Sequence, residues 1–258
     1  MQRAIILVSA AAVALSTTGL AGCTRTRIPT DAPAPTSQPP SSPPPSPSPS
    51  PSPAPSPSPA PSLSPSPSPV PFAAAVSPVT AADLGASWHS GCPVGPAQLR
   101  QLTLPYWGFD GAPHTGRIVV NAAVVASVTK VFASLYAQRF PIRSMRPVSE
   151  FGGSDDASMA ADNTSGFNCR YAVAPGTPRW SVHAYGEAID VNTIENPYLE
   201  GGRVVPPAGD AYRVRAPYRP GMAVPGGVLV TAFAAVGWQW GGRWTGSPDY
   251  QHFSSTGG

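Results

Sequence analysis

The chain has 258 residues and carries a formal net charge of +3, from 16 basic and 13 acidic side chains. Charge this weak and this scattered excludes a nucleic-acid-binding surface. Most of the 36 prolines crowd into one stretch near the N-terminus that cannot build a core, so a single folded domain is expected over residues 79–258, long enough to bury a core of its own.

Taken in order, the chain opens as an export signal over residues 1–22. Arg3 supplies a short positive start, residues 4–15 are apolar, and small residues follow up to Cys23. The apolar run is too short for a comfortable membrane span. Leu20-Ala21-Gly22-Cys23 is similar to a bacterial lipobox, in which the signal is cut before the cysteine and that cysteine is lipidated. Two or more acyl chains on Cys23 would anchor the chain stably to the outer face of a membrane, next to the cell wall. The alternative is an ordinary secretory signal with Cys23 incidental.

Residues 23–78 are expected to form a disordered stalk. From 31 to 71 the sequence is Pro, Ser and Ala with almost nothing apolar, so burial cannot offset ordering entropy and extended polyproline II is favoured. At about 3.1 Å per residue such a spacer reaches on the order of 120 Å.

In the domain, Trp88, Cys92, Leu99, Leu102 and Leu104 suggest an opening helix or loop over the core. A turn-rich segment then leads to a strand at Ile118-Val119-Val120, and Asn121 is a suitable N-cap for the helix that follows. Val124, Val128, Val131 and Leu135 recur at helical spacing and define its packing face. Residues 142–148, bounded by prolines, predict a short edge strand, and 151–163 a loop. Residues 193–226, dense in Pro, Gly, Tyr and Arg, read as a long surface loop bordering a cleft. A second helix is expected over 226–236 with Gly237 as its stop, and Trp238-Gln239-Trp240 as a strand. Helices and short strands without regular alternation imply an α+β domain, a small antiparallel sheet with flanking helices.

Cys92 and Cys169 remain as an even pair if Cys23 is acylated; in an oxidising compartment they can form a disulfide, the alternative being two buried free thiols.

The chemistry concentrates in two motifs. Ser181-Val182-His183-Ala184-Tyr185-Gly186-Glu187-Ala188-Ile189-Asp190 is one. Trp240-Gly241-Gly242-Arg243-Trp244, followed by Asp249-Tyr250-Gln251-His252-Phe253, is the other. Two imidazoles and a carboxylate suit a catalytic zinc that keeps one position open for water. A second carboxylate three residues before the last histidine is where a water-activating base can sit.

In this combination the motifs resemble the zinc D-alanyl-D-alanine carboxypeptidase family, which includes L-alanyl-D-glutamate endopeptidases and belongs with the hedgehog/DD-peptidase-like folds. The resemblance extends over residues 109–253. It implies that His183, Asp190 and His252 bind Zn2+ and that Asp249 is the general base. It also implies an arginine upstream of the first motif as partner for the oxyanion. Arg170 is the best positional match, ahead of Arg143, Arg146 and Arg179. Ser181 is expected to orient His183 or touch substrate. Trp240 and Trp244 are open between core and substrate wall, and His89 and His114 are left out of the metal site.

The function so implied is zinc-dependent hydrolysis of peptidoglycan stem peptides by a monomer, with D-Ala-D-Ala carboxypeptidase first. The alternatives are an L-Ala-D-Glu-type endopeptidase and a non-catalytic zinc-containing wall-binding lipoprotein. The expected partners are the stem peptide and, through the lipid, the membrane.

Overall fold

The computed structural model describes residues 71–173 and 176–257. The expected signal, Cys23 and the stalk up to residue 70 lie outside the described residues.

The elements run β1 (Ala75–Pro78), α1 (Ala81–Leu84), β2 (Leu99–Trp107), β3 (Pro113–Asn121), α2 (Val125–Ala137), β4 (Ser144–Met145), α3 (Asp155–Ala160), β5 (Asn163–Thr164), β6 (Ala188–Asp190), β7 (Tyr198–Glu200), β8 (Arg203–Val205), α4 (Val228–Ala234), β9 (Gln239–Trp240) and β10 (His252–Ser254). Two three-stranded antiparallel sheets, β1-β2-β3 and β6-β10-β9, stand beside a parallel pair β4-β5 and a hairpin β7-β8. The architecture is α+β, as the sequence pattern predicts. Among the described residues no helix is long and apolar enough to cross a membrane.

The main core lies between the first sheet and two helices. Leu102 and Leu104 on β2 and Ile118 and Val120 on β3 alternate onto the face covered by Val128, Val131, Phe132 and Leu135 of α2. Leu229 and Phe233 of α4 and Phe253 of β10 close the same cluster, and Phe233 stacks on Phe253 at 4.1 Å. Each fully buried side chain here contributes on the order of 1.5–3 kcal/mol. The opposite face of the sheet is covered too: Leu99 and Val119 pack with Leu84, Val94 and Phe167.

Asn121 caps the turn entering α2 as expected, its side-chain oxygen accepting from the Ala123 amide at 3.0 Å. Its Nδ2 donates to Tyr185 O and its backbone amide to Gly186 O, which ties the end of β3 to the loop carrying His183.

Five expectations need correction. Residues 99–104, expected as helix or loop, are the start of β2, because Leu102, Leu104 and Tyr106 already alternate with period two. β1 lies inside the segment expected as stalk. All four of its residues are exposed, so its register rests on backbone pairing with Arg100–Thr103 and it leaves no apolar signature. The edge strand expected over 142–148 shrinks to β4. Within the loop expected over 151–163, Ser154 caps α3 by accepting from Ala157 N, and Asp155 and Asp156 sit in its first turn, where the helix dipole favours acids. Residues 193–226 are not merely a surface loop. They contain β7 and β8, and Thr193, Glu195, Asn196, Met222 and Ala223 are buried. Arg215 holds this segment together by donating to Glu195 O, Tyr212 O, Ala223 O and Asn196 Oδ1.

Candidate metal centre

Each half of the centre is set by local backbone chemistry. Ser181 begins a 3-10 turn over Val182–Tyr185, its hydroxyl accepting from the His183 amide at 3.3 Å. Gly186 ends the turn at φ +69°, and a Cβ there would come within 2.6 Å of Asn121 N, so both the left-handed backbone and the close approach require glycine. The turn delivers His183 to the start of β6, which carries Asp190 at its end.

β6 and β10 pair so that Asp190 stands opposite His252 and Ile189 opposite Phe253. With side chains alternating across the sheet, Ile189 and Phe253 enter the core while Asp190 and His252 meet on the other face. The tryptophan–glycine motif explains how Asp249 reaches the same place. A Cβ on Gly241 would lie 2.8 Å from Asp249 O and 3.2 Å from His252 Cβ, so bare backbone is needed for the two segments to touch. The Asp249 amide donates to Gly241 O at 3.0 Å, and Trp240 Nε1 donates to Tyr250 O at 2.9 Å. Trp240 is core; Trp244 lines the cavity, with its ring 5.2 Å from that of His252.

His183 Nε2 is 3.2 Å from His252 Nδ1 and 3.3 Å from Asp190 Oδ2, and His252 Nδ1 is 3.3 Å from Asp190 Oδ1. All three residues are buried. His183 Nδ1 is 2.7 Å from Gly166 O. A carbonyl can only accept, so Nδ1 carries the hydrogen and the neutral ring turns its Nε2 lone pair into the cluster. Asp190 Oδ1 is buried without a hydrogen bond, its approach to His252 Nδ1 being close in distance only. A buried carboxylate oxygen left unsatisfied beside two imidazole nitrogens is costly unless a cation gathers the three. The residues therefore fit a divalent metal bound by two imidazoles and a carboxylate.

The charges are strongly coupled. Burial pushes the Asp190 carboxyl up, but His183 and His252 outweigh it and hold the group well below the carboxylate range. For His183, burial pulls the imidazole down, but the facing Asp190 carboxylate wins and raises it. Burial lowers His252. Burial, reinforced by repulsion from Asp190, raises Asp249 well above an ordinary aspartate.

These side chains line one cavity of about 400 Å³, together with Arg170 and Ser181. Asp249 Oδ1 is buried there without a partner. Arg170 Nη2 is 2.8 Å from Asp155 Oδ2 and its Nη1 donates to Tyr171 O at 3.3 Å. Cys92 and Cys169 form a disulfide, and the Cys169 amide donates to Ser87 O, fastening the segment that carries Arg170.

Of the other arginines considered, Arg179 also lines the cavity. Arg143 instead pairs with Asp162 and Glu195, and Arg146 lies over the Phe151 ring. His114 pairs with Asp110, and His89 sits against the disulfide, 3.5 Å from Cys169 Sγ, so neither joins the cluster. Asp155 escaped the sequence reading because its segment reads as loop; the Ser-x-x-Ala cap with two acids was the available signal. Trp180 and Tyr198, also on the cavity wall, carry no signal beyond being aromatic.

Residues 175–255 match the family model described as D-alanyl-D-alanine carboxypeptidase. The matched segment holds His183, Asp190, Asp249 and His252, and it supports a peptidase of that kind. Arg170 and the first sheet lie outside it. No curated protein and no solved structure matches the chain.

Proposed function

We propose that this chain is a zinc-dependent peptidase, of the hedgehog/DD-peptidase fold, that hydrolyses peptidoglycan stem peptides as a D-Ala-D-Ala carboxypeptidase. The observation that carries the reading is the convergence of His183, Asp190 and His252 beside Asp249 in one cavity, within the segment matched by the carboxypeptidase family. His183 Nε2, His252 Nδ1 and an Asp190 oxygen would hold the metal. Zinc bound there supplies Lewis acidity, polarising the scissile carbonyl and acidifying a water.

The chain's own residues supply the rest. Asp249 takes the proton of the attacking water and passes it to the leaving amine; its carboxylate lines the same cavity, with Oδ1 buried and without a partner. Arg170, aimed into the cavity by Asp155, offers its guanidinium to the developing oxyanion. Ser181 keeps its capping role and so sets the direction of His183. Trp244 packs beside His252 and narrows the access of water to the site.

In this reading the enzyme acts outside the membrane as a monomer. Residues 1–22 form the lipoprotein signal, Cys23 bears the lipid, and the proline-rich stretch is the spacer to the wall. The test is mass analysis of products from a defined pentapeptide stem incubated with the zinc-loaded protein. Loss of one terminal D-alanine is expected. Release of an internal fragment would replace the carboxypeptidase with an endopeptidase, and no product from a zinc-loaded protein would remove the enzyme reading.

A further inference from the structure

The cleft does not end at the candidate centre. A second cavity of about 670 Å³ adjoins the first, and Asp156, Met159, Arg203 and Val205 line both. The junction therefore lies between α3 and the β7-β8 hairpin.

Its chemistry is unusual in combining open charge of both signs with an apolar strip. Met159 is buried and Val205 is half-buried, so together they offer a surface for methylene groups. Asp156 is exposed and makes no ion pair among the described residues. The nearest carboxylate to Arg203 is Glu200 of the same hairpin, 3.7 Å away, and the arginine side chain is 78% exposed, so it is free to turn to a ligand. The other acid–base pair of the second cavity, Asp210 and Arg213, lies 3.6 Å apart and is already matched internally. Asp156 and Arg203 are thus the two charges at the junction with capacity to spare.

We propose that the junction of the two cavities is a subsite for a diamino-acid side chain that carries both an ammonium and a carboxylate on one alkyl stem, as in stem peptides of the diaminopimelate type. This rests on the stem-peptide reading of the centre and names the class of stem it takes. Asp156 accepts the ammonium, Arg203 forks onto the carboxylate, and the stem lies along Met159 and Val205. A lysine-type stem satisfies Asp156 and leaves Arg203 without a partner. In a carboxypeptidase substrate the diamino residue stands two positions before the departing D-alanine and one before the new C-terminus, so the junction would hold the acyl side of the substrate.

The experiment compares two tripeptides, L-Ala-γ-D-Glu-diaminopimelate and its L-lysine counterpart, titrated calorimetrically into zinc-loaded protein bearing Asp249→Ala to prevent turnover. About fivefold tighter binding of the diaminopimelyl peptide is expected, the size of an exposed ion pair. The preference should shrink as salt rises. Arg203→Gln should bring the two affinities together without lowering the melting temperature, and Asp156→Asn, added separately, should weaken both peptides alike and leave the preference in place. Equal affinities at the outset, a preference that survives Arg203→Gln, binding of both peptides untouched by Asp156→Asn, or no binding of either peptide would overturn the proposal. Hydrolysis of pentapeptide stems by the wild type is scored separately. Cleavage without preference removes this inference alone, and preference without cleavage removes the catalytic reading alone.

Discussion

Asp190 and His252 are direct cross-strand partners in the β6-β10 ladder, with a carboxylate oxygen 3.3 Å from an imidazole nitrogen. Two groups 62 positions apart in sequence are thereby placed by strand register, and the register is held from behind by Ile189 and Phe253. A slip of one residue in either strand would turn that strand's group into the core and separate the pair.

The first prediction follows from that support. Phe253 is fully buried and stacks on Phe233. Phe253→Ala should cost about 3–5 kcal/mol in denaturant unfolding. Because its neighbour His252 loses its backing, zinc affinity of the protein that remains folded should also fall. A variant with that loss of stability and unchanged zinc affinity would show that the register is held elsewhere.

Asp155 is predicted to act through Arg170. Asp155→Asn removes the charge that anchors Nη2 while keeping a side chain that can still accept a hydrogen bond from it. A fall in kcat of roughly tenfold, with zinc content, melting temperature and KM nearly unchanged, is expected for a misplaced oxyanion partner. Asp155→Glu should recover part of the loss. A change in KM alone would assign Arg170 to substrate binding.

A pH effect on stability is predicted at Glu195. Burial, reinforced by Asp162 beside it, pushes this carboxyl up to about 8. The folded state thus keeps a proton that the unfolded chain releases near the ordinary glutamate value. The contribution is fully present below that ordinary value and is lost as pH rises through it towards about 8. Melting temperatures measured from pH 5 to 8.5 should therefore fall less steeply in Glu195→Gln, whose amide stays neutral and can still donate to Asp162. An unchanged slope would mean that Glu195 is ionised in the folded protein.

Much of this site was legible before the structure. His183, Asp190, Asp249 and His252 sit in short motifs whose glycines have a physical purpose, and Asn121 announced the cap it makes. The helical repeat of Val128, Val131 and Leu135 likewise predicted the packed face of α2. What escaped has a common cause. β1 is joined by backbone hydrogen bonds alone, α3 is only six residues long, and the 193–226 segment is organised by one arginine contacting scattered carbonyls. None of these devices leaves a periodic pattern in the side chains. Asp155 was lost with α3, and the ion pair to Arg170 joins residues that no local pattern links.

The central claim is tested most directly by zinc content and pentapeptide hydrolysis measured together on the wild type and Asp249→Ala. The account predicts one zinc per chain in both proteins, and hydrolysis by the wild type that falls by about a hundredfold or more in the variant, within the range of losing a general base. A wild type that carries its zinc and leaves the peptide intact, or a variant as active as the wild type, would contradict it.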